Sequence, residues 1–154
     1  MSDQVEKRMA ELGLSLPKPY GPAANYLPYK LDRGTLYVSG QGARQPEGPH
    51  YKGKVGRDFT LEEAYEHAKI VGLSLLTAAK SAAGSLDRIE VLKVFGMVNA
   101  VPEFADHPKV INGCSDLFVA VLGDRGRHAR SAVGMGSLPN GMTVEIEAVM
   151  RIHD

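Results

Sequence analysis

No tryptophan occurs in the 154-residue sequence, and cysteine occurs once, as Cys114. A lone cysteine excludes an intramolecular disulfide and any zinc site built on paired thiolates. No apolar run approaches the roughly 20 residues of a membrane-spanning helix. Charge of one sign is not in excess, because Lys+Arg and Asp+Glu both number 18. That disfavours a strong global pull toward nucleic acid or a membrane surface and leaves only a local patch open. The phosphate-binding loop, the HExxH signature and paired Cys/His sets are missing, and neither Gly40-x-Gly42 nor Gly134-x-Gly136 completes a dinucleotide fingerprint. The expectation is a protein with no resident metal or cofactor. The N-terminal stretch carries acids and lacks a long apolar core, which reads against a secretory signal and for a cytoplasmic location.

What is present is the composition of a globular protein, long enough for one domain over 1–154 with a sizeable core. Asp3 and Glu6 have capping-box spacing and predict a short helical extension at about 3–13, ended by Gly13. The stretch LPKPYGPAANYLP is too rich in Pro and Gly for helix and reads as an extended lead-in. Two short strands then turn at Asp32-Arg33-Gly34, the second ending in Ser39-Gly40-Gln41-Gly42. Residues 43–59 read as a long loop with room for one short strand near Tyr51–Val55. Thr60 and Glu63 open a helix over 61–83, and Gly84 closes it. Asp87–Val98 is a largely apolar, β-branched strand, expected to be central. Pro108 suits the first turn of a second helix, whose apolar stripe runs from Val110 to Leu122 and includes Cys114 as a buried, inert thiol. The order is β-β-(β)-α-β-α-β-β, an α+β fold with two helices on one face of a mixed sheet. The other face stays uncovered, and a symmetric partner is the simplest cover for it.

The last 27 residues predict a hairpin turning at Asn140-Gly141, a pair suited to the positive φ of a type I′ turn. In that register Arg130, Gly134, Gly136, Glu145 and Glu147 share one face, opposite Val133, Met135, Val144 and Ile146. A face with one arginine, small residues and two carboxylates suits a small anion, and equally suits plain solvent. The same register puts Arg130 opposite Arg151, about 20 Å along the strand from Glu145 at ~3.3 Å per residue. A shared pocket would therefore need a bulge or a second subunit. Elsewhere, Glu63 and His67 stand one helical turn apart, better read as a solvated face than as a metal pair. Arg125, Arg127, His128 and Arg130 form a short basic run, better read as a loop than as an RNA patch, because no aromatic residues interleave it.

The motifs VSGQ at 38–41, ARS-x-V at 129–133 and LPNGMTVEIEA at 138–148 resemble the Rid family, the YjgF/endoribonuclease L-PSP-like reactive-intermediate imine deaminases. The N-terminal helix and the 43–59 loop mark a divergent branch. The resemblance implies a chorismate-mutase-like fold, a homotrimer whose sheets form a central barrel, and pockets between subunits. It implies that Arg130 binds the substrate carboxylate, that backbone around Arg130 and Ala132 contacts the imine, and that Glu145 positions or activates the attacking water. Tyr26, Ser39 and Asn112 match pocket-lining positions. Family members often carry Cys at the place of Ala132; a backbone N–H role there survives the change, and a thiol role does not.

The function so implied is an enamine/imine deaminase, a hydrolase acting on C=N that turns 2-imino acids, such as those derived from 2-aminoacrylate, into 2-keto acids and ammonia. The implied partners are a small carboxylate-bearing substrate and copies of the same chain. A non-enzymatic small-carboxylate binder or sensor using the same pocket is the alternative. Endoribonuclease or translation-inhibitor activity is the weaker one, with nucleic acid the disfavoured partner.

Overall fold

A computed structural model of the chain describes residues 3–21 and 24–154; positions 22 and 23 of the extended lead-in lie outside them. The elements are α1 (Gln4–Glu11), β1 (Tyr29–Asp32), β2 (Thr35–Gly42), α2 (Leu61–Ala83), β3 (Ile89–Asn99), α3 (His107–Leu122), β4 (Ala129–Met135) and β5 (Val144–Ile152). The five strands form one mixed sheet in the order β1-β2-β5-β3-β4. This is the expected mixed sheet of an α+β fold.

Local chemistry explains the element boundaries. The Thr60 hydroxyl accepts the Glu63 amide at 3.1 Å and starts α2, and Gly84 ends it at φ 80°. Arg33 and Gly34 both take positive φ and turn β1 into β2. Asp3 and Asp87 staple α1 to the body reciprocally. The Asp87 carboxylate accepts the amides of Gln4 and Val5, while Asp3 Oδ2 accepts the Leu86 amide and the Ser85 hydroxyl. Each carboxylate thereby satisfies amides that a helix start leaves unpaired.

Helices α2 and α3 cover one face of the sheet, and the core lies between. Leu36, Val38, Val91, Val94, Ile146, Ala148 and Met150 point toward them and are buried. The opposite face carries Tyr37, Phe95, Met97, Val133, Glu145 and Glu147; Leu138 and Met142 pack on Met97 at one end, and the rest is open in the single chain, with Tyr37 50% exposed.

The expected final hairpin does not form. Asn140 and Gly141 do take positive φ (58° and 67°), and the Met142 amide donates to the Pro139 carbonyl. Their arms, however, are not neighbours. β4 runs parallel to β3 on one side, and β5 runs antiparallel to β3 on the other. Burial decides this. The apolar β3 is most stable with a strand on each side, and the turn residues alone do not specify which strands pair.

Residues 43–59 dock on the end of the sheet. Lys52 bridges Met142, and Val55 bridges Ala100 and Phe59, so the short strand expected near Tyr51–Val55 shrinks to isolated bridges. Tyr51 stacks on His67 with ring centroids 4.1 Å apart, and Phe59 meets the same imidazole edge-on. His67 is therefore buried and not part of a solvated face; its Nδ1 lies 2.9 Å from Thr143 Oγ1. Among the described residues, no helix is long and apolar enough to cross a membrane.

Candidate functional site

The residues expected to share a pocket fall on two faces of one chain. Arg130 pairs with Val94, and Val94 pairs with Ala148, which sets Arg130 on the helix-covered side. Glu145 pairs with Met97, which pairs with Val133, on the open side. Val94 and Met97 are three apart, an odd step, so their partners point to opposite faces. The shared face read from the hairpin is thus corrected, because β3 stands between the two strands and sets their relative phase.

The helix-side half is built by α3 on the edge strand β4. Arg130 Nη1 donates to Asn112 Oδ1 at 2.8 Å and to Ser115 Oγ at 3.1 Å. The spacing of Asn112 and Ser115, three residues on a helix, brings both to one guanidinium. Ser115 Oγ also lies 2.9 Å from His128 Nε2, and His128 Nδ1 lies 2.6 Å from the Gly126 carbonyl. A carbonyl only accepts, so Nδ1 carries the proton and Nε2 accepts the Ser115 hydroxyl. The chain Arg130–Ser115–His128–Gly126 holds the guanidinium flat against α3. Among the described residues no carboxylate pairs with Arg130. Ala132 is the next inward residue along β4 and is partly buried against the core. The rest of the basic run is occupied. Arg125 Nη1 donates to the Asp87 carbonyl at 2.7 Å, and Arg127 pairs with Asp124 at 3.4 Å.

The open-face half is built on the glycines of β2. A Cβ at Gly40 would meet Glu145 Oε2 at 2.7 Å, and one at Gly42 would meet the His50 ring at 2.8 Å and collide with the Met142 sulfur. Two glycines two apart thus leave room for a carboxylate and an imidazole lying across one strand. Burial, and then Glu147, raise the Glu145 carboxyl above the usual carboxylate range. Glu145 lines a pocket of about 240 Å³ with Tyr26, Gln41, Arg44 and His50. Tyr26 is 54% exposed at its mouth. Ser39 lines the adjoining hollow with Tyr26 and Glu147, and its hydroxyl donates to the Leu27 carbonyl at 2.6 Å.

The structure therefore joins Tyr26, Ser39 and Glu145 on one side and Arg130, Asn112 and Ala132 on the other. Sequence reasoning missed Ser115 and His128, although Ser115 sits three residues after Asn112. It also missed Arg44 and His50, which the Gly40-x-Gly42 spacing could have flagged as side chains resting on a strand. Cys114 is buried among apolar neighbours, and burial pushes its thiol up, so it is no nucleophile. Among the described residues no cluster suits a metal ion.

The histidines carry a pH prediction. Burial first, then the cations Arg44 and Lys52, depress His50. Burial depresses His67 against the opposing pull of Glu63 and Glu66. Burial depresses His128, the Gly126 bond opposing and Arg130 adding. The unfolded chain then binds more protons than the native one below the ordinary imidazole value of 6.5, so stability is full above it and is lost as pH falls through the depressed values. Glu145 pulls the other way, and Asp3 and Asp58, lowered from 3.8, titrate below this window. The unfolding midpoint is expected to drop between about pH 7 and pH 5, and less steeply in His67→Gln or His128→Gln. Parallel thermal melts check this; identical slopes in all three proteins would refute it.

A family model described as "YjgF/chorismate mutase-like, putative endoribonuclease" matches residues 6–144. Protein TCP17 of Trypanosoma cruzi is 36% identical over 155 residues, covering 99% of this chain and 97% of that one. The crystal structure of Atu1372 from Agrobacterium tumefaciens, of unknown function, is similar at 43% identity and a TM-score of 0.89, covering 96% of this chain and 92% of that one. A putative endoribonuclease from Shewanella oneidensis superposes with a TM-score of 0.93 at 28% identity, covering 97% of this chain and all of that one (100%).

Proposed function

The chain belongs to the YjgF/chorismate mutase-like family, and from that premise we propose that it hydrolyses reactive 2-imino acids to 2-keto acids and ammonia, in pockets between the subunits of a homotrimer. The observation that carries the reading is the Arg130 guanidinium, held by Asn112 and Ser115 with no carboxylate of its own among the described residues. Such a fork is prepared for a carboxylate ligand and binds it with two parallel hydrogen bonds. The Arg130 half and the Glu145 half lie on opposite faces of one chain, so a complete pocket takes one half from each of two subunits. The uncovered face with Tyr37 and Val133 supports such a contact.

The chemistry asks little of the protein. Arg130 takes the α-carboxylate and fixes C2. A water adds to C2, forming the C–O bond, and the C=N π pair moves to nitrogen, which is protonated. Glu145 accepts one proton of that water and delivers it to the imine nitrogen, giving the carbinolamine; it then takes the carbinolamine hydroxyl proton and passes it to nitrogen, so that C=O forms as the C–N bond breaks and ammonia leaves. Burial raises this carboxyl, which favours the protonated form that the return of a proton to nitrogen requires. Backbone at Ala132 suffices for contact with the imine, since no step uses a side chain there.

The test generates an imine in place with an amino-acid oxidase and follows its decay. Acceleration over buffer is expected; none with any of several amino-acid precursors refutes the reading. The ribonuclease reading has less support, because Arg125 and Arg127 are already engaged within the chain.

A further inference from the structure

The pocket around Glu145 has a second charged end. Gly40, Gly42 and Arg44 are successive alternate residues along β2 and its continuation, where Arg44 bridges His50. The Glu145 carboxylate rests above Gly40, the His50 ring above Gly42, and Arg44 lies next in the row. The Arg44 guanidinium stacks on the Tyr20 ring, 4.6 Å from its centroid. Stacking holds the cation by one face and leaves its N–H edge free. Among the described residues Arg44 has no carboxylate partner. Glu145, His50 and Arg44 line the same pocket. A cavity with a carboxyl at one end and an unmatched guanidinium at the other is polarised along its length.

We propose that Arg44, with His50 beside it, is the specificity-determining wall of this site and selects 2-imino acids bearing a second carboxylate on the side chain. The inference rests on the hydrolytic reading above. Arg130 of one subunit takes the α-carboxylate and Glu145 of another works at C2. The side chain then runs along the row over Gly42 toward Arg44. Gly40 and Arg44 are four residues apart, about 13 Å between Cα atoms at extended spacing. The Glu145 and Arg44 side chains both line the pocket between, so the stretch a substrate side chain must bridge is shorter than that Cα separation. A neutral side chain in this position would leave the guanidinium without an anion. A dicarboxylic imino acid pairs it while keeping its own two charges at opposite ends of the pocket, the distal one away from Glu145. Residues 43–59 supply both Arg44 and His50, which gives that docked segment a role in substrate choice.

The experiment compares kcat/KM for imines generated from glutamate or aspartate with those generated from leucine or alanine, in the wild type, Arg44→Gln and Arg44→Lys. The wild type is expected to favour the dicarboxylic imines by about 10- to 100-fold, the scale of one charge-assisted pair, and Arg44→Gln to bring that ratio down to about one. Arg44→Lys recovers part of it. A second arm measures binding of 2-oxoglutarate and of 2-oxobutyrate by calorimetry. A wild type that hydrolyses neutral imines and does not favour acidic ones overturns the proposal and leaves the hydrolytic reading standing. If no imine is hydrolysed, the hydrolytic reading fails and binding decides. Tighter binding of 2-oxoglutarate that depends on Arg44 upholds the dicarboxylate site, and equal binding of the two acids overturns it.

Discussion

Arg130→Gln is expected to lower kcat/KM for every 2-imino acid, whatever its side chain, by about 30- to 4,000-fold. That range is the roughly 2–5 kcal/mol lost when one partner of a buried, hydrogen-bonded charge pair is truncated. Glutamine keeps the aliphatic stem and a polar amide on a part-buried edge-strand position, so the fold has little reason to respond. Arg130 sits on an edge strand with one neighbour, and among the described residues its side-chain hydrogen bonds go to Asn112 and Ser115. Lysine at this position is a harsher test than its charge suggests. An ammonium can meet Asn112 or the substrate, but it lacks the planar fork that meets both. Arg130→Lys is therefore expected to recover only a small part of the loss. Asn112→Ala and Ser115→Ala leave the guanidinium in place and free it to rotate, so each is expected to cost about tenfold, the scale of a single hydrogen bond. Steady-state kinetics with melts alongside reads all four. Full activity in Arg130→Gln would remove the clamp from the mechanism.

The parts of this arrangement that a sequence reveals are those decided within one helical turn or one tight turn. Thr60, Glu63 and Gly84 bound α2 at its observed ends because capping is a matter of neighbours along the chain. Gly34 and Asn140-Gly141 take the positive φ their residue types favour, and Arg33 is carried into it by the turn. What the turn at Asn140 does not determine is the partner of each arm. Strand adjacency is a property of the packed sheet, and β3 enters between β4 and β5 because it is apolar enough to be covered on both edges. One wrong neighbour reverses a face, and that is why Arg130 and Glu145 read as companions and stand back to back. The site suffers more than the fold. Ser115, His128, Arg44 and His50 act through side chains that meet only after α3 and the 43–59 segment have docked; Gly40-x-Gly42 marks a strand that something crosses, and does not say which side chain.

Gly113→Ala is expected to be among the most damaging small substitutions in the molecule. A Cβ on residue 113 would fall inside the van der Waals envelope of the Tyr65 carbonyl oxygen, and 2.9 Å from its carbon and 3.1 Å from the Lys69 amide nitrogen. These are backbone atoms of α2, so no rotamer change relieves the contact; α2 and α3 must separate or slide. Moving them opens the core that the pair shares with the sheet, where Val71, Leu75, Ile111 and Phe118 are buried. Alanine's better helix propensity returns at most about 1 kcal/mol. A net loss of about 3 kcal/mol or more is expected, or roughly 6–12 °C in the unfolding midpoint for a chain of this size. Two other glycines separate this cause from a general dislike of substitution. At Gly72, on the facing helix, a Cβ would meet Leu117 Cδ2 at 2.8 Å and the Cys114 sulfur at 3.2 Å, both on side chains that can shift, so Gly72→Ala is expected to cost less. At Gly136 nothing lies within 4 Å, and Gly136→Ala is expected to leave the midpoint unchanged. The same displacement of α3 would carry Asn112 and Ser115 away from Arg130. Even where Gly113→Ala stays folded, imine hydrolysis is expected to fall with it, while Gly136→Ala keeps its activity. Equal midpoints for the 113 and 136 variants would mean that the two helices are not held at contact distance.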